Sequence, residues 1–255
     1  SGAVIILKFA KDQKETSMID KAKDFEKLVA ANRILAREDV VDAFGHVSLR
    51  HPDNPSRYVM SRSRSPELVE FDDLMEFELD GEVLDEQGRT PYGERMIHGA
   101  VFEARAEINA VVHNHSYEVL PFGITETTMR PVIHVASVIG NHIPVWDIAD
   151  HFGDTDMLVR TMEQGRDLAQ TMQANSCLLM RGHGAVVTGR TLEEAVMTAI
   201  YLEVNAKVLS TALLHGTPKG LSAGEIERCR ETQNSTLAVD RAWEYFCTRA
   251  GIEAD

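Results

Sequence analysis

Between residues 94 and 116 the hydrophobic repeat of the chain changes. In ERMIHGAVFEARAEI, Met96, Ile97, Ala100, Val101 and Ala104 recur at the three- and four-residue steps of one buried helix face. NAVVHNHS follows directly and has the alternation of a strand. Such switches recur along the chain and restrict it to folds in which helices pack on a sheet. From Thr16 or Ser17, the positions Ile19, Ala22, Phe25, Leu28, Val29 and Leu35 predict an amphipathic helix with a hydroxyl cap. FGHVSLRHPDNPSRYVMSRS predicts two short strands around a Pro-, Asn- and Asp-rich turn, and LMEFELDGEVL predicts another pair around Asp80-Gly81. SCLLM reads as a strand that runs into RGHG and resumes as AVVTG. TLEEAVMTAIYLEVNAKVLSTALL opens on a Thr191/Glu194 capping box and predicts a long helix; beyond Pro218 a loop and one last helix ending in AWEYF are expected.

Hairpin signals are too frequent for a purely parallel sheet. The expected fold is α/β: one domain with a largely antiparallel central sheet between helices. No Pro/Gly/Ser-rich linker divides it. Residues 1–15 are expected to be an N-terminal extension whose Ser1-Gly2 is a remnant of cloning, because SGAVIILKFAKDQKE lacks the basic start and long apolar core of a signal peptide. Residues 16–255 form the domain.

A formal charge of -14 opposes binding to phosphate backbones, so nucleic acid is not an expected partner. No stretch reaches the apolar length of a membrane helix. The three cysteines, Cys177, Cys229 and Cys247, lie far apart without a Cys-x-x-Cys pair, which argues for a reducing, cytoplasmic setting and against a thiolate metal site. Small molecules and proteins remain as partners.

Within AVVHNHS, His113 and His115 are two positions apart and project to the same side of a strand. Alone, the pair suits two metal ligands or two hydrogen-bonded strand histidines. His183 stands between Gly182 and Gly184 at the end of an apolar strand, where the glycines leave space beside the imidazole; a solvent-facing turn histidine fits the same fragment. Glu94 precedes His98 by four residues on one face of a helix start, as a fourth ligand, an acid/base group or an exposed carboxylate favoured by the helix dipole.

Taken in order, ERMIHGAVFEARAEINAVVHNHS and LLMRGHGAVVTGRTLEEAVMTAIYLE resemble the class II aldolase/adducin family from about residue 20 to 215. The resemblance implies an α/β/α sandwich and a divalent metal on His113, His115 and His183, with Glu94 as fourth ligand or acid/base. It also implies a homotetramer with active sites near subunit interfaces. Two departures bear on substrate. FGHVS has His46 where the family's sugar-phosphate enzymes have Asn, and PYGE has Tyr92-Gly93 where they have serines, so the phosphate cradle is not expected to survive.

DAFGHVS, SRSRSPELV and YGERMIHG are similar to the family's branch of metal-dependent decarboxylases of hydroxylated aromatic or heteroaromatic acids, such as hydroxy-methylpyridine-dicarboxylate decarboxylases. That branch implies a small carboxylate substrate chelated through its hydroxyl and carboxylate, and loss of carbon dioxide through an enolate-like species. Arg62, Arg64, Ser65, Tyr92 and His134 are the substrate-binding candidates, and Glu94, His98 and His46 the proton-transfer candidates. His134 also suits a buried structural histidine on an apolar strand. Tyr201 and Glu203 could bond the ligand imidazoles or be a core tyrosine and a solvated glutamate. The resemblance favours manganese or zinc, with iron and cobalt compatible with the ligand types. The competing expectations are a retro-aldol lyase on an unphosphorylated hydroxy-keto acid, a mononuclear iron oxygenase, and an adducin-like binding module; the last is opposed by the presence of every ligand candidate.

Overall fold

A computed structural model describes residues 21–254; the proposed extension 1–15 and the hydroxyl cap at Thr16 or Ser17 lie outside them. Seven strands form one sheet in the order β3-β2-β1-β4-β7-β6-β5. They are β1 (His46–Arg50), β2 (Arg57–Ser61), β3 (Leu74–Glu78), β4 (Ala110–Asn114), β5 (Val145–Trp146), β6 (Cys177–Met180) and β7 (Gly184–Gly189). Every pair is antiparallel except β5 with β6, which is parallel, so the sheet is mixed but mostly antiparallel.

Alternation along the strands sorts the core into two faces. Val47, Ala110, Val112, Leu179 and Val187 meet helix α1 (residues 21–37), α6 (Leu192–His215) and α8 (Thr236–Arg249). Tyr58, Met60, Val111, Leu178 and Val186 meet α2 (Arg95–Ala104) and α5 (Met162–Met172). His113 follows Val111 on the α2 face, so strand parity turns it toward the start of that helix.

The central strand is flanked by β1 and β7 with a register that decides the site. His46 of β1 lies opposite His113, and Asn114 lies opposite Ala185 of β7. Helix α2 is fastened at its far end by Arg50. Its guanidinium is buried and donates to the carbonyls of Phe102, Arg105, Ile108 and Pro55 at 2.9, 3.0, 2.9 and 2.6 Å. Carbonyls left over at a helix C-terminus thus receive a cation.

Several expectations need correction. The second strand around Asp80-Gly81 reduces to a single bridge, Phe77 with Val83, because the residues after it are exposed and bury no second apolar face. The apolar run at His134 is not a strand. It forms a short 3-10 helix, His134–Ile139, that buries Ala136, Val138 and Ile139 and leaves His134 exposed. The tail holds two helices rather than one: α7 (Ala223–Gln233), with a Ser222/Glu225 capping box, breaks at Asn234 before Ser235 caps α8. Only half of the Thr191/Glu194 box forms. Thr191 accepts from the Glu194 N–H, but the Glu194 carboxylate turns to Arg190, taking its backbone N–H at 3.1 Å and its guanidinium at 2.9 Å. Helix α5, capped by a Thr161/Gln164 box, and the short strand β5 went unread; β5 is two residues long and carries no alternation. Two further short helices are α3 (Leu120–Gly123) and α4 (Ala149–Phe152). No helix among the described residues is long and apolar enough to cross a membrane.

The fastening of α2 is testable. Arg50→Met is expected to destabilise the protein by about 3 kcal/mol, because four carbonyls, two of them in buried bonds, lose their donor, and Arg50→Lys is expected to recover only part of this. The urea midpoint measures both.

Candidate metal centre

Glu94, His113, His115 and His183 converge, with one ligand atom from each lying within 4.8 Å of all the others. His113 projects from β4 and His115 from the residue after that strand's end. His183 stands in the tight turn between β6 and β7. Glu94 is the N-cap residue of α2, but its carboxylate makes no capping bond because it is turned to the histidines.

Gly184 explains how the turn comes so close. A Cβ there would sit 1.9 Å from the Asn114 carbonyl oxygen and 3.1 Å from the His115 ring. The glycine therefore permits the close strand-to-strand approach.

The separations match a shared cation. His113 Nε2 is 3.1 Å from His115 Nε2 and 3.6 Å from Glu94 Oε2, and His183 Nε2 is 3.5 Å from the same oxygen. Ligands about 2.1 Å from a tetrahedral ion are about 3.4 Å from one another. The remote atoms are held as a ligand set requires. His113 Nδ1 bonds the Ala185 carbonyl at 3.2 Å and His183 Nδ1 the Met157 carbonyl at 2.9 Å, which leaves each Nε2 to face the centre. Glu94 Oε1 accepts from the Val159 N–H at 2.9 Å, so Oε2 is the oxygen that faces the imidazoles.

Protonation suits the same purpose. Burial would raise the Glu94 carboxyl, but the imidazoles of His113 and His183 outweigh it and hold it well below the ordinary carboxylate range. Burial pushes His115 down to about 4, helped by His113 and His183. A neutral imidazole and an anionic carboxylate are the forms that bind metal. The residues present fit a divalent cation.

Beside the cluster, His46 and His98 form a second histidine pair. His98 is 0% exposed and both of its ring nitrogens are engaged, Nδ1 with Ser48 Oγ and Nε2 with His46 Nδ1, each at 2.6 Å. The His46 ring lies 5.0 Å from that of His113 and 4.5 Å from that of Tyr92. Burial and the neighbouring imidazoles depress both histidines, His98 to about 3, so both are neutral near pH 7. His98 is thereby walled off and communicates with the centre through His46.

The expected substrate residues divide. Tyr92 packs on His46 and donates its hydroxyl to the Arg64 carbonyl, which places it at the site's edge. Arg62 and Arg64 do not present free forks: they grip the buried Asp73, Nε to Oδ1 at 2.6 Å and Nη1 to Oδ2 at 2.7 Å. A buried carboxylate demands paired charge, and the sequence-only reading of the arginines lacked this partner. Ser65 opens the short helical turn Pro66–Leu68 without a side-chain cap bond. His134 faces a cleft of about 390 Å³ with Tyr201 and Tyr245 and is not brought to the cluster. Of the two helix residues, Tyr201 packs toward Phe246, whereas Glu203 accepts from the hydroxyl of Ser116, next to His115. The carbonyl of Met157 and the N–H of Val159 were missed, since main-chain partners have no side-chain signature.

The family model described as the class II aldolase and adducin N-terminal domain matches residues 26–210. The chain belongs to the class II aldolase and adducin family. Among its members, decarboxylase tropJ of Talaromyces stipitatus is 32% identical over 240 residues, covering 84% of this chain and 90% of that protein. The 3,4-dihydroxyphthalate decarboxylase of Arthrobacter keyseri is 27% identical over 235 residues, covering 88% and 92%. The solved L-fuculose 1-phosphate aldolase of Glaciozyma antarctica superposes with a TM-score of 0.73 at 22% identity, covering 91% of each chain, and so shares the class II aldolase fold.

Asp73 gives a pH prediction. Burial alone would raise its carboxyl, but the Glu70 N–H and the two guanidiniums outweigh this and hold it below the ordinary range. A depressed carboxyl stabilises the fold above its unfolded pKa and loses that contribution as pH falls through the folded one. Asp73→Asn is therefore expected to lower stability by about 2 kcal/mol at neutral pH. The gap should close below about pH 4, measured by urea denaturation across pH.

Proposed function

We propose that this member of the class II aldolase and adducin family is a divalent-metal-dependent carbon-carbon lyase that decarboxylates a hydroxylated aromatic or heteroaromatic acid. Residues 16–255 are its one catalytic domain. The observation that carries the reading is the convergence of one carboxylate and three imidazoles on a single point. What favours decarboxylation over aldol cleavage is the likeness to two decarboxylases along most of their length, together with His46 and Tyr92 filling the edge of the site.

His113, His115, His183 and Glu94 Oε2 would hold the cation, with manganese or zinc suited to nitrogen and oxygen donors. When bound, it supplies Lewis-acid chemistry to a substrate that chelates through carboxylate and hydroxyl. Glu94 is assigned as ligand rather than proton donor, because Oε1 is taken by the Val159 N–H and Oε2 faces the imidazoles of His113 and His183. The proton that replaces carbon dioxide on the ring would pass through His46, which takes the proton released by the substrate's hydroxyl on chelation and, as imidazolium, returns it to the carbon that carbon dioxide leaves. The contacts of His46 Nδ1 with His98 Nε2 and of His98 Nδ1 with Ser48 Oγ fit the tautomers in which both Nδ1–H groups donate, which leaves Nε2 of neutral His46, the nitrogen free of that chain, able to take a proton. His98 and Ser48 act through His46 by fixing its tautomer. Tyr92 excludes water from one side of that imidazole. The enzyme acts on a small carboxylate, in the reducing cytoplasm that its scattered cysteines suit, and assembles as a homotetramer, as the family resemblance implies.

Bound metal and carbon dioxide release from a panel of ortho-hydroxy aromatic carboxylates test the reading. Wild type is expected to hold metal and to release carbon dioxide from at least one acid. His115→Ala is expected to lose both. His46→Gln is expected to keep its metal while kcat falls by about 100-fold. Metal content unchanged by His115→Ala contradicts the ligand assignment, and cleavage of hydroxy-keto acids in place of decarboxylation would favour the aldolase reading.

A further inference from the structure

Phe44 is 63% exposed, yet nothing about its backbone is loose. Its N–H donates to Asp42 Oδ1 at 2.9 Å, and the other oxygen of that carboxylate accepts from the Tyr117 hydroxyl at 2.7 Å. One aspartate thus ties the turn before β1 to the turn after β4, on either side of His115. Gly45, next in the chain, has φ +95°, and a Cβ there would lie 2.7 Å from Val41 Cγ1, so the turn accepts no other residue at that position. Val40 and Val41 anchor the other end in the core. The turn presents Phe44 rather than releasing it.

The ring it presents lies at the candidate metal centre. Phe44 and His115 have ring centroids 6.3 Å apart with planes inclined at 42°. Two residues on, the His46 ring is 5.0 Å from that of His113, so residues 44–46 reach both members of the histidine pair. Tyr117, two residues after His115, is also exposed, and its hydroxyl is committed to Asp42. An apolar ring fixed in solvent beside a polar ligand cluster forgoes burial, which a bound planar ring would restore. Aromatic faces pair at centroid separations of about 4.5–7 Å. A flat, unsaturated ring engaging the cluster next to His115 would meet the Phe44 face, whereas a short aliphatic hydroxy acid would not reach it.

We propose that Phe44 is a specificity-determining platform that selects aromatic over aliphatic hydroxy acids by stacking on the substrate ring, held in place by the Asp42–Tyr117 strut. The inference rests on the cluster being the metal centre of an enzyme acting on carboxylates, and it adds the residue that reads the ring.

The test titrates zinc-reconstituted protein with two chelating hydroxy acids, ortho-hydroxybenzoate and glycolate, by calorimetry. Wild type should bind ortho-hydroxybenzoate more tightly than glycolate. Phe44→Ala should weaken ortho-hydroxybenzoate about tenfold and leave glycolate unchanged. Phe44→Leu, which keeps apolar bulk without a π-face, should fall between, and Phe44→Tyr should restore wild-type affinity. Equal loss for both ligands, no loss for either, or no preference in wild type overturns the proposal. Carbon dioxide release from an aromatic acid with no effect of Phe44→Ala on KM or affinity overturns the platform alone. The predicted binding pattern without any decarboxylation overturns the decarboxylase reading and leaves the platform standing.

Discussion

Pairing of β4 with β1 on one side and β7 on the other is the constraint from which the candidate centre follows. Pairing with β1 sets His46 against His113, and pairing with β7 sets Asn114 against Ala185, which brings the His183 turn alongside His115. A shift of one residue would turn His113 into the opposite core. The close contact at Gly184 leaves little room for such a shift or for wider strand separation. Three imidazoles are therefore gathered by backbone hydrogen bonds before any cation contributes.

Helix α2 completes the arrangement from outside the sheet. Its first residues bring Glu94 over the histidines, and its last carbonyls are held by Arg50, so both ends are fixed with respect to β1. The main chain does much of the remaining orientation: Met157 and Val159, in a single loop, engage His183 and Glu94. Such outer contacts fix tautomer and rotamer, and thereby which atoms remain for an ion. The Ser48–His98–His46 chain applies the same logic to a proton, because a buried imidazole with both nitrogens engaged can serve only through its neighbour.

The sheet-with-helices architecture was legible in the spacing; same-side projection in His-x-His, a carboxylate at a helix start and a histidine in a glycine turn each left an alternative open, and only the ordered resemblance to the family joined the four residues into one set. The hairpin from β1 to β2 was legible in the spacing as well. What the spacing could not carry was pairing with distant partners. Arg62 and Arg64 looked free until Asp73 was placed between them. His134 looked like part of a strand because its apolar neighbours bury one face of a 3-10 turn instead. Phe44 is a single apolar residue in a turn with no periodicity around it, and only its exposure beside His115 distinguishes it.

X-ray absorption spectroscopy of the zinc-loaded protein tests the central claim most directly, since it reads the ligand atoms themselves. The account predicts a first shell of imidazole nitrogens and carboxylate oxygen at about 2.0–2.2 Å, with the multiple-scattering signature of three histidines. A shell made only of oxygens, or one containing sulfur, would contradict it.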